Sequence, residues 1–140
     1  MKQSMIQAHM RAAYAYAQTS HCVRLQVGCV VVDTNPHTMQ DTVVSIGYNG
    51  TPSGEDNVCE LPDNTTKPSV IHAEDNALRK LMFQANGMSL FCTTSPCLTC
   101  AELIRKSGIT SVYYGTIYRM DDGIQYLHNN GIEVHQVVLN

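Results

Sequence analysis

The chain has 140 residues and a mass of 15.5 kDa, which suits one domain spanning residues 1–140 with a buried core of its own. Its net charge of −3 and pI near 6.0 give no general attraction to a phosphate backbone, which disfavours a nucleic-acid partner or substrate. No apolar run is long enough to span a bilayer, and the N-terminus lacks a signal-peptide pattern. We therefore predict no membrane association and a cytoplasmic protein whose thiols are free or metal-bound.

Hydrophobic periodicity predicts four helices and five strands. The helices are predicted at 5–18, 70–85, 97–106 and 121–129, and the strands at 27–33, 42–48, 88–93, 110–115 and 132–138. The first two strands are close enough in sequence for an antiparallel hairpin. Each later strand follows a helix, which is typical of neighbouring parallel strands with helices on the sheet faces. The predicted fold is a three-layer α/β/α sandwich around a five-stranded mixed sheet that opens with a hairpin.

A loop rich in glycine and proline follows the second predicted strand. Residues 49–54 read Asn-Gly-Thr-Pro-Ser-Gly, and residues 55–69 continue as loop with two further prolines. Two glycines and a proline in six residues allow backbone groups to approach a ligand closely. Because loops this long inside a domain usually carry function, we expect this segment to lie near a site.

A histidine and two cysteines stand at the starts of two successive predicted helices, in His72-Ala73-Glu74 and Pro96-Cys97-Leu98-Thr99-Cys100. One imidazole and two thiolates hold zinc in three positions and leave the fourth for water. A lone Cys-x-x-Cys is also typical of a redox pair or of half a structural zinc site. The upstream His-Ala-Glu and the proline directly before the first cysteine favour a catalytic zinc, with His72, Cys97 and Cys100 as its ligands.

Glu74, two residues after a predicted zinc ligand, is the predicted catalytic residue. Zinc lowers the pKa of its bound water, so that hydroxide is available near neutral pH. Glu74 then carries the water's proton to a ring nitrogen and to the leaving amino group of a base, while hydroxide attacks the amidine carbon. The alternative role for Glu74 is an acid that only stabilises the start of a helix. His-x-Glu followed by Pro-Cys-x-x-Cys is the signature of zinc-dependent nucleobase deaminases.

The other cysteines and histidines have simpler predicted roles. Cys29 and Cys92 lie inside predicted strands and are expected to be buried apolar residues. Cys22 and Cys59 lie in polar loops, where they either hold a second, structural zinc or remain free thiols. The scattered histidines are predicted to be surface or edge residues rather than ligands: His9, His37, His128 and His135.

Three motifs together resemble the deoxycytidylate (dCMP) deaminase family, in particular its bacteriophage-type members. They are Gly47-Tyr48-Asn49-Gly50-Thr51-Pro52-Ser53-Gly54, His72-Ala73-Glu74-Asp75-Asn76-Ala77 and Ser95-Pro96-Cys97-Leu98-Thr99-Cys100-Ala101. The resemblance also includes Gln26-Val27-Gly28 and Ser107-Gly108-Ile109, so that it covers nearly the whole chain. The zinc motif marks the cytidine deaminase-like superfamily, whereas the Gly-Tyr-Asn-Gly-x-Pro-x-Gly loop narrows it to dCMP.

The resemblance implies hydrolytic deamination of dCMP to dUMP and ammonia, which supplies dUMP for thymidylate synthesis. It implies substrate contacts from Asn49 and Thr51 in the glycine-rich loop, and backbone groups of Ala73 and Ser95 for the pyrimidine edge. Two further substrate contacts follow the fourth strand: Tyr118 would flank the substrate and Arg119 would bind the phosphate, because a guanidinium fork suits a phosphate. An exposed loop arginine is the alternative for Arg119.

The resemblance also implies a homohexamer that dCTP with Mg²⁺ activates and dTTP inhibits. It would be located in the cytoplasm, or in the host cytoplasm if the protein is viral.

Two other functions compete with this interpretation. One is deamination of another cytosine or adenine substrate, as a free nucleoside or within a nucleic acid, and the acidic, tryptophan-free composition disfavours the nucleic acid. The other is a non-catalytic, nucleotide-sensing zinc domain, for which Glu74 would have no purpose.

Overall fold

The computed structural model, which describes residues 1–140, contains four helices and five strands in the predicted order. The helices are α1 (Gln3–Ala17), α2 (Ala73–Arg79), α3 (Leu98–Lys106) and α4 (Asp122–Asn129). The strands are β1 (Gly28–Thr34), β2 (Asp41–Tyr48), β3 (Ser89–Thr94), β4 (Ser111–Thr116) and β5 (Glu133–Gln136). None of the helices has the length and apolar character that a membrane span requires.

The strands form one mixed sheet in the order β2-β1-β3-β4-β5. β1 pairs antiparallel with both β2 and β3, whereas β3, β4 and β5 run parallel to one another. The parallel half follows from the helices α3 and α4, each of which connects one strand to its parallel neighbour. The predicted five-stranded mixed sheet with an N-terminal hairpin is confirmed.

Side chains alternate along the central strands and build a core on each face of the sheet. On β1, Cys29 and Val31 join the core under α2, α3 and α4, while Val30 and Val32 join the core under α1. Because both faces are covered, this strand is a continuous apolar run rather than an alternating one. Cys29 and its neighbour on β3, Cys92, are fully buried free thiols, as predicted.

Two glycines in the opening hairpin allow helices to pack closely on opposite faces of the sheet. A Cβ atom at Gly28 would lie 2.0 Å from the carbonyl oxygen of Ala13 in α1. A Cβ atom at Gly47 would lie 2.3 Å from the carbonyl oxygen of Ala73 in α2. Only a residue without a side chain allows these backbone approaches, so Gly47 sets how near the first turn of α2 lies to the sheet.

The helix predicted at 70–85 is shorter than expected and extends only from Ala73 to Arg79. At its start, Ile71 instead exchanges two backbone hydrogen bonds with Gly50, at 3.1 and 2.8 Å, which holds the chain extended up to the N-cap residue His72. At its end, Met82 and Phe83 are 97% and 58% exposed, so these two large apolar side chains do not extend the buried face of α2.

His9 is buried, which contradicts its prediction as a surface or edge residue. Only 6% of the residue is exposed, and its ring packs against Phe91 with a centroid distance of 5.2 Å. Its Nε2 lies 2.9 Å from Oδ2 of Asp41, whose Oδ1 accepts a hydrogen bond from the Thr34 hydroxyl at 2.7 Å. The hydrophobic pattern of α1 gave no sign of this polar cluster, because the partners come from β1 and β2.

We predict that Asp41→Asn destabilises the protein by about 1–3 kcal/mol at pH 7, because it removes a charged acceptor from the buried cluster. Burial raises the pKa of Asp41, but the hydrogen bonds from His9 and Thr34 outweigh it and lower the pKa overall. The stabilisation is therefore present above the unfolded-state pKa, about 3.9, and disappears as the pH falls through the lower folded-state pKa. Thermal unfolding at pH 7, 5, 4 and 3 should show the wild-type and variant curves converging only at the acidic end; a constant gap would contradict this account.

Candidate active site

The two halves of the zinc motif meet at the beginnings of α2 and α3. His72 is the N-cap residue of α2 and Cys97 is the N-cap residue of α3, with Cys100 in the first turn of α3. Nδ1 of His72 lies 3.3 Å from Sγ of Cys100 and 3.6 Å from Sγ of Cys97. All three donor atoms lie within 4.8 Å of one another, which is the spacing of side chains that could hold one metal ion.

The Glu74 carboxyl is buried next to these donors. Glu74 lies in the first turn of α2, and only 4% of the residue is exposed. Burial raises its pKa above the usual value, and the opposing effects of a backbone N–H and of the His72 imidazole offset this only in part. A carboxyl with a raised pKa accepts and releases a proton more readily near neutral pH, which is the property of a general acid–base catalyst.

The two cysteines of the motif have opposite proton affinities. Hydrogen bonds from Cys100 and His72 lower the pKa of Cys97 to about 4, whereas the neighbouring Cys97 sulfur and burial raise the pKa of Cys100. The hydrogen bond with Cys97 is also the main cause of a raised pKa for His72. The low pKa of Cys97 favours its thiolate, the form of cysteine that binds metals. A soft donor set of two sulfurs and one nitrogen suits zinc.

A cavity of about 190 Å³ opens beside the donors and Glu74. Most of the residues predicted to contact substrate line this cavity, together with three of the four zinc-motif residues. The predicted residues on its wall are Asn49, His72, Ala73, Glu74, Ser95, Cys97 and Tyr118. Ala73 is the first residue of α2, so its N–H has no partner within the helix and is free to meet a ligand.

Asn49 connects two segments of the cavity wall. Its side-chain oxygen accepts a hydrogen bond from the N–H of Val27 at 2.9 Å, and its side-chain nitrogen donates to the carbonyl of Leu25 at 2.8 Å. Its own carbonyl accepts a hydrogen bond from the Ser20 hydroxyl at 2.8 Å. Asn49 therefore fixes the chain between α1 and β1 in place, and one amide N–H is left for a ligand.

Thr51 and Arg119 are not among the residues that line this cavity. The Thr51 hydroxyl donates to the carbonyl of Asp56 at 2.5 Å, so it serves the structure of its own loop. Arg119 is exposed, has a φ of 47°, and places its guanidinium over the Tyr118 ring, 5.2 Å from the centroid. The geometry brings neither side chain to the donors.

The cavity wall also includes residues that the sequence analysis missed, among them Arg24, Glu60 and Thr66. Arg24 lies between α1 and β1, and the other two belong to the long loop before α2. The length of that loop indicated function, but no pattern within it pointed to particular residues. Only tertiary structure places the two segments side by side.

Cys22 and Cys59 form a disulfide, so the prediction of free thiols at these positions is wrong. Their Cα atoms lie 5.1 Å apart because the segment after α1 packs against the long loop. Glu60 lies close enough to join the two cysteines in a metal-binding group. A second zinc ion there would first require reduction of the disulfide, because thiolates rather than disulfide sulfurs bind metals.

Comparison with known proteins identifies the family. Residues 3–116 match the family described as the cytidine and deoxycytidylate deaminase zinc-binding region. The chain is 35% identical over 97% of its length to the deoxycytidylate deaminase of Saccharomyces cerevisiae, and 34% identical over 73% to that of Mycobacterium phage D29. It covers 46% of the yeast protein and 87% of the phage protein. The chain belongs to the cytidine and deoxycytidylate deaminase family.

A solved structure supports the same assignment. The dCMP deaminase of cyanophage S-TIM5, in complex with dCMP and dUMP, superposes with a TM-score of 0.89 at 40% identity. The match covers 98% of this chain and 99% of the cyanophage chain. The chain spans less than half the length of the two fungal deoxycytidylate deaminases that it matches. The cytidine deaminase-like fold predicted from the sequence is confirmed.

We predict that alkylation of the denatured, chelator-treated protein without reductant labels four cysteines, because only Cys29, Cys92, Cys97 and Cys100 are free. Mass spectrometry should find all six labelled after reduction. Cys59→Ala should give five labels without reduction and lower the free energy of unfolding by roughly 3–4 kcal/mol, since the bond closes a long loop. Six labels before reduction would show that the bond does not form.

Proposed function

We propose that this chain is a zinc-dependent enzyme that converts dCMP to dUMP and ammonia by hydrolysis. The observation that carries the proposal is the buried Glu74 carboxyl next to the cluster of His72, Cys97 and Cys100, on the wall of one cavity. The match over nearly its whole length to a cyanophage enzyme solved with dCMP and dUMP supports the choice of substrate. The zinc-binding family to which the chain belongs supports the choice of metal.

His72, Cys97 and Cys100 would hold the zinc ion. When bound, zinc supplies a Lewis acid that activates water near neutral pH. Three protein donors leave one position open, which distinguishes a catalytic site from a closed structural one. The low pKa of Cys97 favours its thiolate at neutral pH, whereas Cys100, whose pKa is raised, would release a proton when the site is loaded.

Glu74 would move the protons of the reaction. Its carboxylate takes a proton from the attacking water and gives it to N3 of the cytosine ring as the new C4–O bond forms. It then passes the second proton of that oxygen to the amino group, so that the C4–N bond breaks and ammonia leaves. Because burial raises the pKa of Glu74, the carboxyl can hold a proton between these two steps.

Backbone and side-chain groups beside the donors would hold the base. The free N–H at the start of α2, from Ala73, and the backbone of Ser95 would meet the polar edge of the pyrimidine. Asn49 would use its remaining amide N–H toward the deoxyribose and base, and Tyr118 would cover the substrate from the far side. The N–H of Tyr118 donates to Oγ of Ser95 at 3.0 Å, which fixes the two residues relative to each other.

The proposal includes the supply of dUMP for thymidylate synthesis in the cytoplasm, and the regulation implied by the family resemblance. Activation by dCTP with Mg²⁺, inhibition by dTTP and assembly into a homohexamer belong to this part of the proposal. Thr51 and Arg119 do not line the cavity, so the proposal assigns them no contact with the base. Initial rates against dCMP, with and without each effector, test the regulation separately from the chemistry.

We predict that Glu74→Gln keeps the zinc ion but lowers the rate of dCMP deamination by at least about 10²–10⁴-fold, because glutamine cannot carry a proton. Ammonia release and metal analysis of the purified protein measure the two properties. Glu133→Gln, a substitution on the edge strand β5, is the matched control and should leave both unchanged.

Cys97→Ser should lose both zinc and activity, which separates metal binding from proton transfer. A Glu74→Gln enzyme with a near-normal rate would remove Glu74 from the mechanism. A wild-type enzyme that contains zinc but releases no ammonia from dCMP would overturn the proposed function itself.

A further inference from the structure

One disulfide anchors the long loop on the wall of the active-site cavity. Within residues 51–70, only Cys59 and Val70 are buried, and with Cys22 they form a small cluster apart from the two cores of the sheet. The disulfide between Cys22 and Cys59 is the covalent part of this cluster. Because the loop contains no helix or strand beyond isolated bridges, its position depends on the cluster more than on regular structure.

The same cluster leads along the chain to the metal ligand His72. The carbonyl of Cys59 accepts a hydrogen bond from the N–H of Lys67 at 2.7 Å, and the carbonyl of Lys67 accepts one from the N–H of Val70 at 3.1 Å. Val70 packs in the cluster with the disulfide and precedes His72 by two positions. The disulfide therefore supports the backbone that presents a metal ligand.

The disulfide also joins two parts of the cavity wall that are otherwise held by hydrogen bonds. One carboxylate oxygen of Glu60 accepts the N–H groups of Val23 and Arg24, each at 3.1 Å. The Thr66 hydroxyl accepts a hydrogen bond from the Arg24 guanidinium at 3.1 Å. Cys22, Arg24, Glu60 and Thr66 all line the cavity. Without the covalent bond, only contacts that open and close locally would hold this side of the cavity together.

The two sulfur atoms of the bond differ in their access to a reductant. Cys22 lines the cavity, whereas Cys59 has no exposed surface. A thiolate that enters the cavity therefore attacks Sγ of Cys22, with Cys59 as the leaving group. Zinc binding requires Cys97 and Cys100 as thiols, so the protein must function where thiols persist and where a dithiol can reach this bond.

We propose that the disulfide between Cys22 and Cys59 is a redox switch that controls how tightly the cavity binds its nucleotide. A dithiol supplies two electrons: its first thiolate forms a mixed disulfide with Cys22 as the bond to Cys59 breaks, and its second thiolate displaces Cys22. The dithiol leaves as a disulfide, and its two protons end on the thiols of Cys22 and Cys59. The oxidised form holds the wall in order, and reduction lets the loop of residues 51–70 open more readily.

This inference rests on the proposed function, since a nucleotide in the cavity is the ligand that the switch controls. The control acts in both directions. A nucleotide that binds the oxidised form more tightly must make reduction less favourable by the same factor, because linkage joins the two equilibria. The nucleotide also fills the cavity through which a dithiol reaches Cys22, so it should slow the reduction as well.

Kinetics in mixtures of reduced and oxidised dithiothreitol test the switch. In the zinc-loaded wild-type protein, full reduction should raise KM for dCMP about 5- to 150-fold, the usual range for coupled sites, with a smaller change in kcat. Cys59→Ser cannot form the bond, so it should have the KM of the reduced wild type in every mixture. Its KM without any reductant gives a comparison that is free of effects of the dithiol on the metal.

Alkylation and mass spectrometry follow the bond itself, without turnover and without a variant. The native protein is held in each dithiothreitol mixture, quenched with acid, then denatured, treated with chelator and alkylated. The oxidised form should carry four labels and the reduced form six. Saturating dUMP should move the midpoint of this reduction toward more reducing mixtures, by a factor similar to the change in KM.

Asp41→Asn is the matched control, because Asp41 contacts His9 of α1 and does not line the cavity. It should lose stability but keep the wild-type KM and the wild-type response to the dithiol. A rise in KM equal to that of Cys59→Ser would show a general effect of lost stability rather than a switch.

Two further results would overturn the switch. One is an unchanged KM for dCMP in both Cys59→Ser and the fully reduced wild type, and the other is a reduction midpoint that dUMP does not move although dUMP binds. The proposed function itself fails if neither the oxidised nor the reduced protein deaminates dCMP and neither binds dUMP.

Discussion

The metal-binding cluster depends on one packing constraint, which is that α2 and α3 begin at the same place on the same face of the sheet. Gly47 lets the first turn of α2 lie against β2, where any Cβ atom would strike the carbonyl of Ala73. Gly123 of α4 does the same at the start of α3, since its Cβ atom would lie 2.1 Å from the carbonyl of Pro96. Both positions require glycine so that two N-cap residues, far apart in sequence, can supply donors to one point.

The local environment then shifts the pKa values of Cys97 and Glu74 in opposite directions. The Cys97 pKa is lowered by hydrogen bonds from Cys100 and His72, while the pKa of Glu74 is raised because the carboxyl is buried. One group is therefore prepared to bind a cation and the other to hold a proton, from the same small set of residues. The two shifts have different causes, since hydrogen bonds act on the half-buried Cys97 whereas burial dominates at Glu74.

The other side of the cavity is built differently, from loops rather than helix ends. Asn49 fixes the segment before β1 through its amide, and the loop of residues 59–67 holds that segment through Glu60, Thr66 and a disulfide. Such loops vary without disturbing the sheet, whereas the metal donors stand on regular elements that cannot move independently. The cluster of His72, Cys97 and Cys100 and the loop wall are thus structurally separate parts of one site.

The sequence by itself determined the strand and helix order and the mixed sheet, and it predicted the cluster of His72, Cys97 and Cys100, because hydrophobic periodicity and the two motifs are local patterns. It also placed Glu74 beside them, since Glu74 follows His72 by two positions along the chain. Only the tertiary structure decided the burial of His9 and the disulfide. It alone also decided that Arg24 rather than Arg119 faces the cavity. Each depends on contacts between segments distant in sequence, and no local spacing encodes which loops will meet.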